Sequence, residues 1–283
     1  MNASNTVAAG TYVSCALDRC PDDATAIKFC DGSIDYGSLA DATHYLADRL
    51  QCSGVGADSR VGLFLGGGIE WIFALCALER LNATVVMLDV AELPSTTAHR
   101  VESAGVDLLV GHASVDDLLD DVMDEIGFGD LPAAVAEEYS LMRVAPVVRG
   151  GRAEVICLDD LSTTVSRCWA DVVDAAARVA ATLRLRPGSM VSITGSLLSD
   201  RSVVGLVAAF AAGASVSIGR PLDEFAAPHS TAVQVYEDEV TDLIGGSSHI
   251  EMLVRSGVVG VLPRNATHCF VRVPPMTEIA RIG

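Results

Sequence analysis

Of the 19 basic residues in this chain, 18 are arginine, and the single lysine is Lys28. Chemistry that needs an ammonium to bridge phosphates or steady a leaving group has only Lys28 to use, because a guanidinium is not its equivalent. Other groupings carry reactive side chains. Asp159 and Asp160 are adjacent carboxylates, and Ser162, Thr163 and Thr164 follow them. Those hydroxyls can accept from backbone N–H groups at a helix start or hold a phosphate oxygen, and both readings stand. The loop Ser196-Leu197-Leu198-Ser199-Asp200 adds a hydroxyl and a carboxylate at its end. Asp159, Asp160, Ser199 and Asp200 are the candidates for catalysis, and Ser162, Thr163 and Thr164 for holding a cofactor.

The remaining groupings favour structural roles. The cysteines, at positions 15, 20, 30, 52, 76, 157, 168 and 269, include no Cys-x-x-Cys pair and mostly fall on apolar faces. Reduced core thiols and no metal site are expected. His268 and Cys269 are neighbours, but adjacent residues on a strand face opposite ways. Gly66-Gly67-Gly68 precedes a helix and could bind an anion there. A close-packed turn is the preferred reading, since Glu70 puts a negative charge in the first helical turn. Gly245 to His249 reads as a break between two short helices.

The elements that must position these residues follow from periodicity. Residues 28–39 read as a strand, an Asp-Gly turn, a short strand and a helix start. A helix from Leu39 to about Cys52 keeps Leu39, Thr43, Leu46 and Leu50 on one face. Residues 60–65 form a buried strand, 69–81 an apolar helix and 83–88 another buried strand. An acidic helix spans 115–126, a strand 154–157, and a helix is expected from near Val165. Two short strands, 258–262 and 269–273, joined by a turn at Asn265, are expected in the tail.

The chain also repeats itself. With an offset of 130, Leu39-Ala40-Asp41 lies over Trp169-Ala170-Asp171 and Ser59-Arg60-Val61 over Ser189-Met190-Val191. One residue of slippage then sets Asn82 to Val85 over Gly213 to Val216, which places Leu88 near Gly219. Each copy is helix, strand, apolar helix, strand, an order that builds a parallel sheet with helices packed on it.

Tyr36 and Leu39 fit a Thr-Tyr-x-x-Leu word, and Ala83 to Asp89 fits Gly-Ala-x-x-x-Pro-Leu-Asp with Met87 in place of the proline. With the order of elements, these words resemble the N-terminal domain of the adenylate-forming (AMP-binding) superfamily: acyl-CoA synthetases, fatty acyl-AMP ligases and non-ribosomal peptide synthetase (NRPS) adenylation domains. The resemblance covers roughly residues 10–112 and 153–219. It implies an α/β fold of two pseudo-repeated, mainly parallel sheets with packed helices, without the C-terminal subdomain. It also implies a Ser/Thr/Gly-rich phosphate loop ending in Pro-Lys-Gly. Here that place holds Leu158-Asp159-Asp160-Leu161-Ser162-Thr163-Thr164-Val165, about two residues shorter, with no glycine and no lysine. Each carboxylate facing a polyphosphate would repel it by about 1 kcal/mol at 4 Å in water, and several-fold more in a drier site. Ser199 stands where many relatives carry an aromatic residue or histidine lining the acyl pocket. The family's later nucleotide-binding words and its C-terminal lysine are not found.

Composition narrows the class. Half the residues are hydrophobic and mean hydropathy is +0.39, enough apolar material for a large core. The net charge of −18 opposes nucleic acid and anionic membranes as partners. No apolar run reaches membrane-spanning length and the N-terminus lacks the parts of a signal peptide, so a cytoplasmic protein is expected. Arginine over lysine, with much alanine and valine, suggests a GC-rich bacterial genome. The expected organisation is a first lobe at 1–130, a connection at 131–152 and a second lobe at 153–283, in one compact body. The functional expectation is a non-adenylating pseudoenzyme acting as scaffold or partner in a natural-product (NRPS/PKS) or acyl pathway, with no cofactor and ATP/Mg disfavoured. The alternatives are an enzyme that reuses the old acyl cleft for other chemistry, and half of a split ligase. Partners would be a second copy or a full-length adenylating enzyme. A carrier protein would require a local arginine cluster, with Arg184, Arg186, Arg201 and Arg220 as candidates.

Overall fold

The computed structural model describes residues 12–29, 32–112, 116–126, 133–136, 139–144, 153–158, 164–219, 235, 237–245, 255 and 270–272. In chain order the elements are α1 (Tyr12–Leu17), β1 (Thr25–Phe29), β2 (Gly32–Asp35), α2 (Tyr36–Cys52), β3 (Arg60–Phe64), α3 (Ile69–Arg80) and β4 (Thr84–Leu88). Next come α4 (Pro94–Ser103), β5 (Leu108–His112), α5 (Asp116–Ile126), β6 (Ala133–Ala136), β7 (Tyr139–Arg143), β8 (Glu154–Leu158) and β9 (Thr164–Cys168). The last are α6 (Trp169–Leu183), β10 (Met190–Thr194), α7 (Asp200–Ala211), β11 (Ser215–Ile218), β12 (Asp242–Gly245) and β13 (Phe270–Arg272).

They form two units. Unit 1 takes Met1–Cys15 and Ala40–Asp171, and unit 2 takes Ala16–Leu39 and Val172–Gly283. In unit 1 the strands run in the order β6-β7-β5-β3-β4-β8-β9. Its centre, β5-β3-β4-β8, is parallel, with Val61 opposite both Val85 and Leu108, and Val85 opposite Val155. β4 is buried at every residue, as a run of apolar residues inside a helix-covered parallel sheet requires. Phe64, Val86, Leu88, Val101, Leu109 and Leu119 share one core cluster. In unit 2 the order is β13-β12-β10-β11-β1-β2, and β12-β10-β11-β1 is parallel. All residues of α7 from Ser202 to Phe210 are buried. The α/β class with two mainly parallel sheets is the one the sequence implies.

The internal repeat holds down to single hydrogen bonds. Thr84 N–H donates to Ser59 O, and Ser215 N–H to Ser189 O, both at 2.9 Å. Ser59 Oγ accepts from Gly56 N–H at 3.1 Å, and Ser189 Oγ from Arg186 N–H at 3.3 Å. Val61 pairs with Val85 as Val191 pairs with Val216, and β4 closes at Leu88 as β11 closes at Ile218, beside Gly219. The repeat also reaches a third strand that sequence comparison missed. Arg60 N–H donates to Asp107 Oδ1 before β5, and Met190 N–H to Thr241 Oγ1 before β12, each at 3.0 Å.

Two expectations need correction. The helix expected from near Val165 starts at Trp169, because residues 164–168 form β9, the antiparallel partner of β8. Gly245 ends a strand and does not lie between helices; β12 is only four residues long, too short for its alternation to register. β13 is the tail strand expected at 269–273, and it pairs with β12. Residues 258–262, Asn265, His268 and Cys269 lie outside the described residues.

The division of the chain also differs from two successive lobes meeting at 131–152. Hairpin β1–β2 precedes the first repeat in sequence but joins β11, in the second repeat's sheet. Hairpin β8–β9 precedes the second repeat but joins β4, in the first repeat's sheet. Segments 133–136 and 139–143 are strands of unit 1 and not a bare connection. The exchange has a visible fastening. Tyr36, first residue of α2, donates its hydroxyl to Ala214 O at 2.8 Å, and Trp169, first residue of α6, donates its indole N–H to Ala83 O at 3.3 Å. Ala83 and Ala214 occupy the same place before β4 and β11, and both aromatics are buried. Tyr36 therefore corresponds to Trp169, a shift of 133, whereas the constant offset set Leu39 there. At the helix ends the offset returns to 130, with Val55 N–H on Leu50 O and Leu185 N–H on Ala180 O.

Burial raises the Tyr36 phenol well above its ordinary pKa, so it stays a donor. Tyr36→Phe and Trp169→Phe should each strand a buried carbonyl and cost about 1–3 kcal/mol, read as a lower urea midpoint with unchanged slope. Asp107 has the opposite expectation. Burial raises its carboxyl pKa despite the Arg60 N–H bond and the nearby Arg143 and Arg60 charges, and Thr241 makes the equivalent bond without a charge. A raised folded pKa means that stability is lost as pH climbs through it. Asp107→Asn should keep the Arg60 bond, raise the urea midpoint at pH 7, and converge with the parent below about pH 4.

Candidate functional site

In open parallel sheets, ligands gather where loops leave the carboxyl ends of neighbouring strands. In unit 2 the loop after β10 runs from Gly195 to Ser199 and opens α7. Gly195 has φ +96°, and a Cβ on Gly245, at the end of β12, would collide with Thr194 Oγ1 and O. The strand ends therefore meet backbone to backbone. Ser196 Oγ accepts from Leu198 N–H at 3.2 Å, and Ser202 Oγ donates to Ser196 O at 2.7 Å. Ser199 is the helix N-cap: its Oγ accepts from Ser202 N–H at 3.2 Å and lies 2.9 Å from Ser202 Oγ. The candidate nucleophile thus holds the start of a helix. Asp200 stands in the first turn of α7, favourable to the helix dipole.

The phosphate-loop counterpart is the turn between β8 and β9 in unit 1. Asp159, Asp160, Ser162 and Thr163 lie outside the described residues, and Thr164 is the exposed first residue of β9. Arg100 on α4 donates from Nη1 to Thr164 Oγ1 at 3.3 Å. Its other nitrogens grip Glu92, Nη2 to Oε1 at 2.7 Å and Nε to Oε2 at 3.3 Å. A bidentate pair of this kind commits the guanidinium to its carboxylate. Among the described residues, the cation seen at this turn is already matched by an anion.

Lys28 is committed as well. Its ammonium lies 3.1 Å from Asp238 Oδ1 and 3.4 Å from Glu237 O, while Asp238 Oδ2 accepts from Ser217 Oγ at 2.6 Å. Lys28 sits opposite Ser217 across β1 and β11, so the group fastens residues 237–238 to the sheet.

A further cluster in unit 1 was not found from sequence. Tyr139, the first residue of β7, donates its hydroxyl to Glu70 O at 2.9 Å and meets the His112 ring edge to face at 5.2 Å. His112 ends β5 directly opposite Tyr139. Glu70 Oε2 would lie 2.7 Å from a Cβ on Gly68, so the carboxylate folds back over the three-glycine loop at the start of α3. The place where an external anion would bind is faced by the chain's own negative charge. No sequence signal linked these residues, because the contact joins strand ends far apart in the chain.

Three of the four candidate arginines, Arg184, Arg186 and Arg201, lie among the described residues. Arg184 and Arg186 precede β10, whereas Arg201 follows it in α7. A five-residue strand sets its ends about 16 Å apart. Arg220 lies outside the described residues. Burial pushes the Cys20 and Cys76 thiols up, away from thiolate. Cys168 caps α6, with Sγ 2.9 Å from Asp171 Oδ2 and accepting from Asp171 N–H at 3.4 Å. The described residues include no group of three potential metal ligands among His, Cys, Asp and Glu, and no helix long and apolar enough to cross a membrane.

Residues 15–139 match the family model for AMP-binding enzymes. A stretch of 69 residues is 39% identical to the hybrid PKS-NRPS synthetase traA of Penicillium crustosum, covering 24% of this chain and 2% of that one. Among solved structures, one assigned to a long-chain fatty acid CoA ligase of Rhodopseudomonas palustris matches with TM-score 0.69 and 15% identity, over 86% of this chain and 64% of its own. The N-terminal subdomain of Klebsiella oxytoca NpsA matches with TM-score 0.62 and 17% identity, over 83% and 59%. The N-terminal domain of FACL13 from Mycobacterium tuberculosis matches with TM-score 0.62 and 16% identity, over 84% and 62%. This chain thus spans less than two thirds of those structures. Through residues 15–139 the chain is a member of the AMP-binding superfamily, and its two repeated, mainly parallel sheets have the fold of the N-terminal domains of adenylate-forming enzymes.

Proposed function

We propose that this chain does not itself adenylate a carboxylic acid and acts as a non-catalytic partner in a natural-product or acyl pathway. The reading is carried by the β8–β9 turn. A phosphate loop works through small residues that let backbone N–H groups reach phosphate oxygens, and through a lysine. Leu158 to Val165 holds neither glycine nor lysine and brings two carboxylates. Arg100 supplies no spare charge there, since Glu92 takes it up. Lys28 is already paired with Asp238.

The net charge of −18 weighs on the choice of partner. Acidic carrier proteins would be repelled unless a local basic patch overcame this, and among the described residues Arg184 and Arg186 lie at the opposite end of β10 from Arg201. A second copy or a complete adenylating enzyme is therefore favoured over direct carrier capture. The split-ligase alternative is the weaker reading. A split enzyme would still need a working phosphate loop of its own, which weakens it.

With magnesium and ATP, calorimetry should show no micromolar binding, and pyrophosphate should not exchange into ATP with any carboxylic acid tried. Micromolar affinity would overturn the reading and direct attention to Asp159 and Asp160 as metal ligands. Light scattering over a concentration series should give a mass above the 29.5 kDa of one chain, alone or with a complete adenylating enzyme. A strict monomer that binds no such enzyme, yet turns over a small molecule in a way lost in Asp200→Ala, would establish the repurposed enzyme instead.

A further inference from the structure

We propose that residues 1–150 and 151–283 are two interlocked half-chains, each completing the other's sheet, so that the protein holds together without the covalent link between them. This rests on the sheet topology and is independent of the proposed function. β4, from the first half, has β3 on one edge and receives β8, from the second half, on the other. β11, from the second half, has β10 on one edge and receives β1 from the first. Each half alone would leave a largely buried strand with a bare edge, the kind of surface that seeks another strand.

The partner that fits each edge is specific. It is an antiparallel hairpin whose inner strand runs parallel to the acceptor, followed at once by a helix that opens on a buried aromatic donor. Val85 and Val86 take Val155 and Ile156, and Val216 and Ser217 take Ile27 and Lys28. The aromatic donors then cross between halves in both directions, Trp169 to Ala83 O and Tyr36 to Ala214 O. Polar contacts repeat the reciprocity. Glu154 N–H donates to Thr84 Oγ1 at 3.3 Å, and Ser215 Oγ donates to Thr25 O at 2.7 Å. The Lys28–Asp238 ion pair and the Arg100–Thr164 bond also join one half to the other. Two lobes that merely lay side by side could part with both sheets intact. Here the halves cannot part without a strand leaving each sheet.

The test uses the whole chain with a protease recognition sequence inserted between Gly150 and Gly151 and cut after folding. Both fragments should elute together from a sizing column, at the position of the uncut protein. In a urea series they should separate only as the far-UV circular dichroism of the sample is lost. Fragments that part in native buffer would overturn the proposal. So would fragments that part in urea while both keep native dichroism. A Tyr36→Phe, Trp169→Phe double variant, which preserves ring volume better than alanine, should move the separation of the cut protein to lower urea, by about 1 M for typical urea slopes. An unmoved separation point would overturn the role given to the aromatic donors.

Discussion

A buried carbonyl oxygen has to find a donor. In this protein the residue just before a central strand presents such an oxygen twice, at Ala83 and at Ala214, and each time the donor is the first side chain of a helix. The bond does more than satisfy a polar atom. It fixes where α2 and α6 begin, and so where the hairpins ahead of them lie against β11 and β4. The lateral order of both sheets follows from it. An indole and a phenol serve equally because both carry a large apolar body with one donor at the end. Tyr36 also meets Phe210 edge to face at 6.0 Å, so the phenol is seated by packing as well as by its hydrogen bond.

Among the described residues, several groups near the strand ends are engaged by the chain's own groups. Asp238 takes the charge of Lys28, Glu92 that of Arg100, and Glu70 covers the glycine loop. Ser199, chemically the plainest nucleophile, is spent on capping α7. Charges matched in this way gain from partial burial, since Arg100 and Glu92 keep only 13% and 17% of their side-chain surface. A ligand at any of these places would have to displace an internal partner before it made a bond of its own.

The repeat and the core were legible because they are local. Buried runs such as Thr84 to Leu88 and helix faces such as Leu39, Thr43, Leu46 and Leu50 declare themselves within one window, and all four of those helix residues are buried. The hairpin exchange was not legible. Nothing in residues 25–35 says that their neighbour is β11, and a repeat read along the chain assigns each hairpin to the copy it precedes. The short strand β12 fell below the length at which alternation shows, and β9 was absorbed into the following helix because Cys168 and Trp169 are apolar. In the candidate site, Ser199 and Asp200 were singled out from sequence, and the cap that Ser199 makes on α7 shows only in the structure, since a capping and a reactive hydroxyl share one residue type. His112 and Tyr139 are neighbours only through strand pairing.

The duplicated turns differ in one respect that reaches beyond this chain. Gly54 corresponds to Arg184, Asn82 to Gly213 and Gly105 to Glu239, and all six residues have φ between +53° and +94°. In every pair one copy meets the left-handed backbone with glycine and the other carries a side chain there, at some conformational cost. The geometry of these corners has thus outlasted the residue best suited to making it, in whichever copy that residue was lost or never arose. What has been kept through divergence is the path of the backbone around each strand, so that in this molecule shape has proved more durable than the chemistry that most easily produces it.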